Sequence, residues 1–265
     1  FVTTFDDRSI GSRTIANQFT PESVEKSKSD SSLFMLRNQN EFAVGQEVVY
    51  LFGENEAELI DNLEKNKDLL QSLFANKEKE ILATALFNRK NGVGSEMSKK
   101  KFGVTLNLPA SYQFTKEEDN FLWFRQPTPR VDKPDISLFF YQTTYEDESQ
   151  VFPENIIKLR DEITKPRIFG DPANTESYII TEKQIPPAFK PIKLDGQYAV
   201  EMRGSWRTNN LSMGGSFLSY TVVDEAKGKI FYMEGFVYYP NEAHRASLRE
   251  IETILQASKF KMEAE

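Results

Sequence analysis

The chain contains no cysteine and a single histidine, His244, among its 265 residues. Disulfides and thiolate chemistry are therefore excluded, and zinc or copper centres lose their usual thiolate and imidazole ligands. No cofactor and no metal are expected. A Ser–His triad would have to use His244, which the pattern places exposed in the first turn of a helix. Positive charge is also short, with Lys+Arg 33 against Asp+Glu 40 and a net charge of −7. Nucleic-acid binding, which needs clustered cations, is not expected from that balance. No apolar stretch reaches the roughly 18 residues of a membrane-spanning helix. Phosphate-binding motifs are missing too. GVGSE at 92–96 has neither the spacing nor the preceding strand of a dinucleotide loop, and GGSFL at 214–218 lacks the second glycine of a nucleophile elbow.

Aromatic residues are plentiful, with 21 Phe and 10 Tyr. Such a load marks a chain that buries a core, since disorder goes with few aromatics. Residues 1–17 read as an entry strand or loose arm, 21–41 as a short helix or loop, and 48–52 as a buried strand. An amphipathic helix is expected over about 55–87, with a break near 75–77. Asn55 caps it, Glu58 returns a bond, and Leu59, Ile60, Leu63, Leu70, Leu73 and Phe74 form the face that lies on a sheet. The stretch NRKNGVGSEMSKKK at 88–101 has two glycines, basic charge and no apolar period. It reads as a solvated connection, and divides the chain into portions 1–98 and 99–265.

Beyond it the pattern is one of short strands, at 104–108, 112–114, 121–125 and 136–145. Leu138, Phe139, Phe140 and Tyr141 in succession mark the last of these as a central strand covered on both sides. Pro127, Pro129 and Pro134 stiffen the loop before it. Pro153 opens a helix that ends before Pro166. The segment 168–177 reads as a plain turn, although Asp171, Asn174 and Glu176 offer oxygens of the kind calcium takes. Strands 189–194 and 197–207 flank Asp195-Gly196, a strong hairpin signal, and strands 217–223 and 230–239 lead to a helix over about 242–257. The tail 261–265 is charged and expected to fray.

Strand alternation selects the candidate binding residues. Tyr198, Val200, Met202, Gly204 and Trp206 share one face of the 197–207 strand, whereas Ala199, Glu201, Arg203, Ser205 and Arg207 share the other. A polar face that continues into Asn209 and Asn210 suits an anion or a partner's carboxylate bound through arginine. A wet sheet face with a weak Glu201–Arg203 or Glu201–Arg207 pair is the plainer reading of the same residues. Trp206 completes the candidate set. Glu234, in the middle of the apolar strand IFYMEGFVYY, is expected to form an ion pair with an arginine of a neighbouring strand. With 40 acidic residues, a two-carboxylate hydrolase is also conceivable, but nothing selects a pair.

Several ordered segments carry a family resemblance. VVYLFGENEAELIDNLEKNKDLL (48–70), GVTLNLPASYQFTKEEDNFLWFRQ (103–126), NIIKLRDEIT (155–164), SYIITE (177–182), LDGQYAVEMRGSWRTNNLSMGGSF (194–217) and YMEGFVYYPNEAHRASLREIETIL (232–255) resemble the domain of unknown function numbered 4837. That family is found in Bacteroidetes and described as envelope lipoproteins. The resemblance implies a lipid-anchored protein of the cell envelope, facing the periplasm or exterior, whose signal and lipid-bearing cysteine would precede Phe1. The strand–LPASY–strand opening and the closing strand–helix are also similar to the Mog1/PsbP-like α/β/α sandwich. The resulting expectation is an α+β protein, with an antiparallel sheet flanked by helices and an N-terminal strand–helix portion. Its expected role is a non-enzymatic binding or adaptor module for an envelope partner protein or small ligand; the alternative is an envelope hydrolase of glycan or peptide using paired carboxylates.

Overall fold

The computed structural model describes residues 1–5, 10–128 and 132–260. Pro129 of the expected stiff loop and the expected frayed tail at 261–265 lie outside these residues. The chain forms two compact units, Phe1–Ile81 and Leu82–Glu265.

In the first unit, β1 (Val2–Thr4) runs parallel to β3 (Glu47–Gly53), and β2 (Met35–Gln39) pairs antiparallel on its other side. Alternate residues of β3 serve two small cores. Val48, Tyr50 and Phe52 pack with Ile15 of α1 (Ile10–Gln18), whereas Val49 and Leu51 pack with Leu70. The 21–41 region resolves into α2 (Pro21–Ser29), capped by the Thr20 side chain, and β2. The long helix breaks at Asn66, earlier than expected, into α3 (Glu56–Lys65) and α4 (Lys67–Leu86). The Asn66 side chain accounts for this, because it folds back onto the Asn62 carbonyl and ends the first helix. Asn55 accepts from the Glu58 amide as anticipated, and Leu59 and Leu70 are buried. Ile60 and Phe74 remain half-exposed, so the apolar face is narrower than the periodicity suggests.

The second unit begins with a correction. Residues 92–102, expected to be a solvated connection, form α5 (Gly92–Phe102), capped by Asn91 and closed by Gly103 at φ +65°. Gly94, Ser98 and Phe102, four residues apart, give this basic helix its buried edge. The division between units accordingly falls at Ile81 and Leu82, ahead of the expected 98/99 boundary.

The sheet of this unit has the order β4 (Gln113–Glu118), β5 (Phe121–Gln126), β6 (Asp135–Thr144), β12 (Lys229–Tyr238), β11 (Gly214–Asp224), β10 (Gln197–Thr208), β8 (Asn174–Thr181), β7 (Phe169–Asp171), with β9 (Ala188–Leu194) also paired to β10. Every pairing is antiparallel. Asp195 and Gly196 both take positive φ and close the β9–β10 hairpin as expected. The segment expected to be a plain turn instead holds the hairpin β7–β8. Asp171 and Asn174 spend their side-chain oxygens on the Ala173 and Glu176 amides of that turn. Each face of the sheet is covered. Ile251, Ile254 and Leu255 of α7 (Arg245–Gln256) and Phe102 of α5 pack with Leu138, Leu218, Tyr220 and Phe231. On the other face Ile156 and Ile163 of α6 (Pro153–Thr164) pack with Phe139, Met202, Phe217 and Tyr232. The fold class is α+β, with an antiparallel sheet between helical layers.

Candidate functional site

The six residues singled out from sequence do not form one patch. Glu201 accepts from Arg203 at 2.6 and 3.1 Å and from the Tyr220 hydroxyl at 3.0 Å. Arg203 also meets Glu252 of α7 at 3.1 Å, and Gln256 donates to the Tyr220 oxygen at 2.8 Å. The polar strand face is thus closed upon itself and α7. Burial, reinforced by Glu201 and Glu252, pushes the Tyr220 hydroxyl far up. Arg207 donates to Glu182 at 2.9 Å and to the Thr208 carbonyl. Asn209 accepts from the Tyr178 amide and donates to the Glu176 carbonyl, pinning the β10–β11 turn to β8. Asn210 accepts from Ser177 of β8 and, within the same turn, from Ser212. An internally satisfied face has little left to offer a partner, because its donors and acceptors are already matched.

Trp206 points to the opposite face, as its parity requires, and donates to the Val237 carbonyl at 3.1 Å. Gly215 makes that bond sterically allowed. A Cβ there would stand 2.0 Å from the Val237 oxygen and 2.9 Å from Trp206 Nε1.

This face holds a cavity of about 170 Å³ that sequence reasoning missed. Its floor comes from two adjacent cross-strand rows. Arg125, Ser137 and Phe236 stand in register across β5, β6 and β12, and Asp135 stands opposite Tyr238. Trp123 lies one step along β5 on the same face, and Trp206 closes one side. The opposing wall is carried by Ile168, by Gly170 of β7 and by Ile179 of β8. Both tryptophans of the chain therefore line one cavity. The Trp123 indole N–H is buried and has no hydrogen-bond partner among the described residues.

Three charged side chains reach the cavity. Arg125 pairs with Asp135 through a single Nη2 and stands 5.9 Å from the Trp123 ring centre. Arg167 donates to Glu118 at 2.7 Å and to the Ile163 carbonyl at 3.1 Å, and lies over Phe121 and Tyr141 at 5.2 and 5.7 Å. Partial burial would raise the Glu118 carboxyl, but Lys116 and Arg167 outweigh it and hold the group below its ordinary range. Counted over the lining, two arginines face one aspartate in a chain whose net charge is −7.

Further along the same face, in register with Trp123 and Phe139, sits Glu234. Its partner is an arginine, as the sequence suggested, but Arg160 comes from α6 and not from a strand. Burial pushes the Glu234 carboxyl up against the pull of Arg160 and Tyr232.

His244 also differs from expectation. It is the residue before α7 and is half-buried, with Nε2 2.9 Å from the Tyr239 carbonyl and Nδ1 2.9 Å from Ser216 Oγ. A carbonyl can only accept, so Nε2 carries a proton, and in the neutral ring Nδ1 accepts from Ser216. The second imidazole nitrogen is spent on a backbone carbonyl and not on a carboxylate, so His244 belongs to no Ser–His–acid triad among the described residues. No group of three or more potential metal-ligating side chains occurs among them either.

Comparison with known families matches residues 93–257 to the family described as Domain of unknown function (DUF4837), and residues 17–87 to Domain of unknown function (DUF8532). No curated protein matches. Among solved structures, the chain is similar to LpqN of Mycobacterium tuberculosis, involved in cell envelope biogenesis (15% identity, 59% of this chain and 82% of that one, TM-score 0.35). It is also similar to the Saccharomyces cerevisiae Ran-binding protein Mog1p (9% identity, 60% and 92%, TM-score 0.37) and to human STARD10 (6% identity, 63% and 80%, TM-score 0.29).

Proposed function

We propose that this chain, which belongs to the DUF4837 family, is a non-catalytic binding module of the cell envelope that takes a small ligand into the cavity lined by Trp123 and Trp206. The observation that carries the reading is the cavity of about 170 Å³ itself, in which both tryptophans, Phe236 and Tyr238 stand beside Arg125, a guanidinium held through one nitrogen. Binding sites typically combine an apolar wall with a few polar groups of this kind.

A paired-carboxylate hydrolase is less well supported. The cavity lining contains one carboxylate, Asp135, and it is paired with Arg125. An adaptor role through Glu201, Arg203 and Arg207 is weakened by the internal pairs that occupy them. Envelope placement and an N-terminal lipid anchor rest on the sequence resemblance alone. Fractionation of the full-length protein from its own cells tests them.

The binding reading is tested by titrating the protein with single-ring probes that are neutral, anionic and cationic, followed by calorimetry and intrinsic fluorescence. Saturable binding that is lost when Ser137→Leu fills the floor supports it. No saturable response to any of the probes overturns it.

A further inference from the structure

We propose that the ligand of this cavity is a carboxylate carried on a flat apolar body about the size of one aromatic ring, an inference that rests on the binding reading above. Size comes first. Apolar cavities of roughly 150 Å³ take up a single benzene ring, and this one measures about 170 Å³. Shape follows from the lining. Trp206 and Phe236 stand 5.6 Å apart at 75°, an edge-to-face corner against which a third ring can lie.

Charge then decides the polar end of the ligand. The two guanidiniums outnumber the single carboxylate of the lining. Of the two, Arg167 is fixed by Glu118 and by the Ile163 carbonyl. Arg125 is held by Asp135 alone, through one nitrogen, and is partly open to water. A guanidinium presents five donors in a planar fork that matches a carboxylate. Arg125 therefore has N–H groups left for a second acceptor while keeping Asp135. It stands 5.9 Å from the Trp123 ring centre, so a carboxylate on the guanidinium is held at the aromatic end of the lining. A cationic ligand is disfavoured, since it would have to displace Arg125 from Asp135, the only carboxylate in the lining among the described residues.

The experiment compares benzoate, benzyl alcohol and benzyltrimethylammonium, which share a ring and differ in charge. The intact protein, Arg125→Gln and Trp123→Phe are used, with binding measured by calorimetry. The two indole N–H signals are followed by nitrogen-15 NMR and assigned with Trp206→Phe. Benzoate is expected to bind about tenfold more tightly than benzyl alcohol, with the advantage lost in Arg125→Gln, as for one charged hydrogen bond. Both indole signals should move on benzoate binding, since both rings line the cavity. Equal affinity for benzoate and benzyl alcohol, an anion preference that survives Arg125→Gln, or tightest binding of the quaternary ammonium overturns the inference while leaving the cavity a binding site. Failure of all three probes to bind overturns the binding reading as well.

Discussion

Arg160 and Glu234 face each other through two parallel hydrogen bonds of 2.9 and 2.8 Å, and neither side chain is exposed to water. Tyr232 donates to the same carboxylate, and Arg160 also donates to Thr181 and lies 4.0 Å from the Phe217 ring centre. The pair ties α6 to the middle of β12. Removing one partner strands a buried charge, whereas replacing both with apolar side chains removes two desolvated charges together. Arg160→Met or Glu234→Leu alone should each destabilise the protein by about 3–5 kcal/mol. The double variant should cost less than either single change, as measured by chemical denaturation. A double variant that costs the sum of the two would refute this account.

Acid titration should separate two glutamates by sign. Burial raises the Glu250 carboxyl against the hydrogen bond donated by Tyr112 at 2.8 Å. A carboxyl raised in the fold is ionised at a cost, and the cost appears as pH climbs above the unfolded value of about 4.5. Glu250→Gln should therefore be more stable than the wild type at neutral pH, with the difference closing on acidification. The Gln184 backbone N–H, with Arg207 adding to it, holds Glu182 below 4.5 despite partial burial. Its contribution is present above that pH and is lost as pH falls through the lowered value. Glu182→Gln should accordingly be less stable than the wild type at neutral pH. Parallel shifts of the two variants would contradict the assignment.

Gly215→Ala places a methyl group where the Val237 oxygen and the Trp206 indole already meet. The chain must part β11 from β12 or push Trp206 aside, at a cost of about 2–3 kcal/mol. Thermal denaturation should register the loss. Emission from Trp206 should move to the red as the ring gains water, and unchanged emission with unchanged stability would sink this reading.

Arg203→Met should cost about 1 kcal/mol, because its bonds to Glu201 and Glu252 are partly screened at the surface. The difference from the wild type should shrink in about 1 M salt, where screening acts within roughly 3 Å. A loss several times larger, insensitive to salt, would mean that the pair is more deeply shielded than its exposure indicates.

Much of the sheet could be read from the sequence, because its signals are local. Alternation along 197–207 sorted the residues of β10 between the two faces, and Asp195-Gly196 marked the hairpin. The unbroken apolar run at 138–141 gave a strand buried on both sides. What was missed depends on neighbours that sequence does not name. Polarity alone could not show that Glu201 and Arg203 would turn to each other and to α7. The cavity gathers side chains from β5, β6, β10, β12 and the β7–β8 hairpin, and no single segment announces it. One signal was available and overlooked. Asn91 and Gly103 bracket eleven residues in which Gly94, Ser98 and Phe102 recur at a helical interval, and five basic residues, Arg89 and Lys90 before it and Lys99, Lys100 and Lys101 within it, disguised this as a linker.

β10 is shared end to end by two partners. Residues Gln197–Arg203 pair with β9, and Trp206–Thr208 pair with β8. The hairpin that roofs the cavity is therefore stitched to the sheet along a short seam, while β11 and β12 are joined continuously from Ser216 to Asp224. Local opening of that seam needs far less free energy than global unfolding. Backbone amides of β8 should exchange with deuterium well before those of β11 and β12. The hairpin can then loosen at the rate of the seam, with the sheet intact.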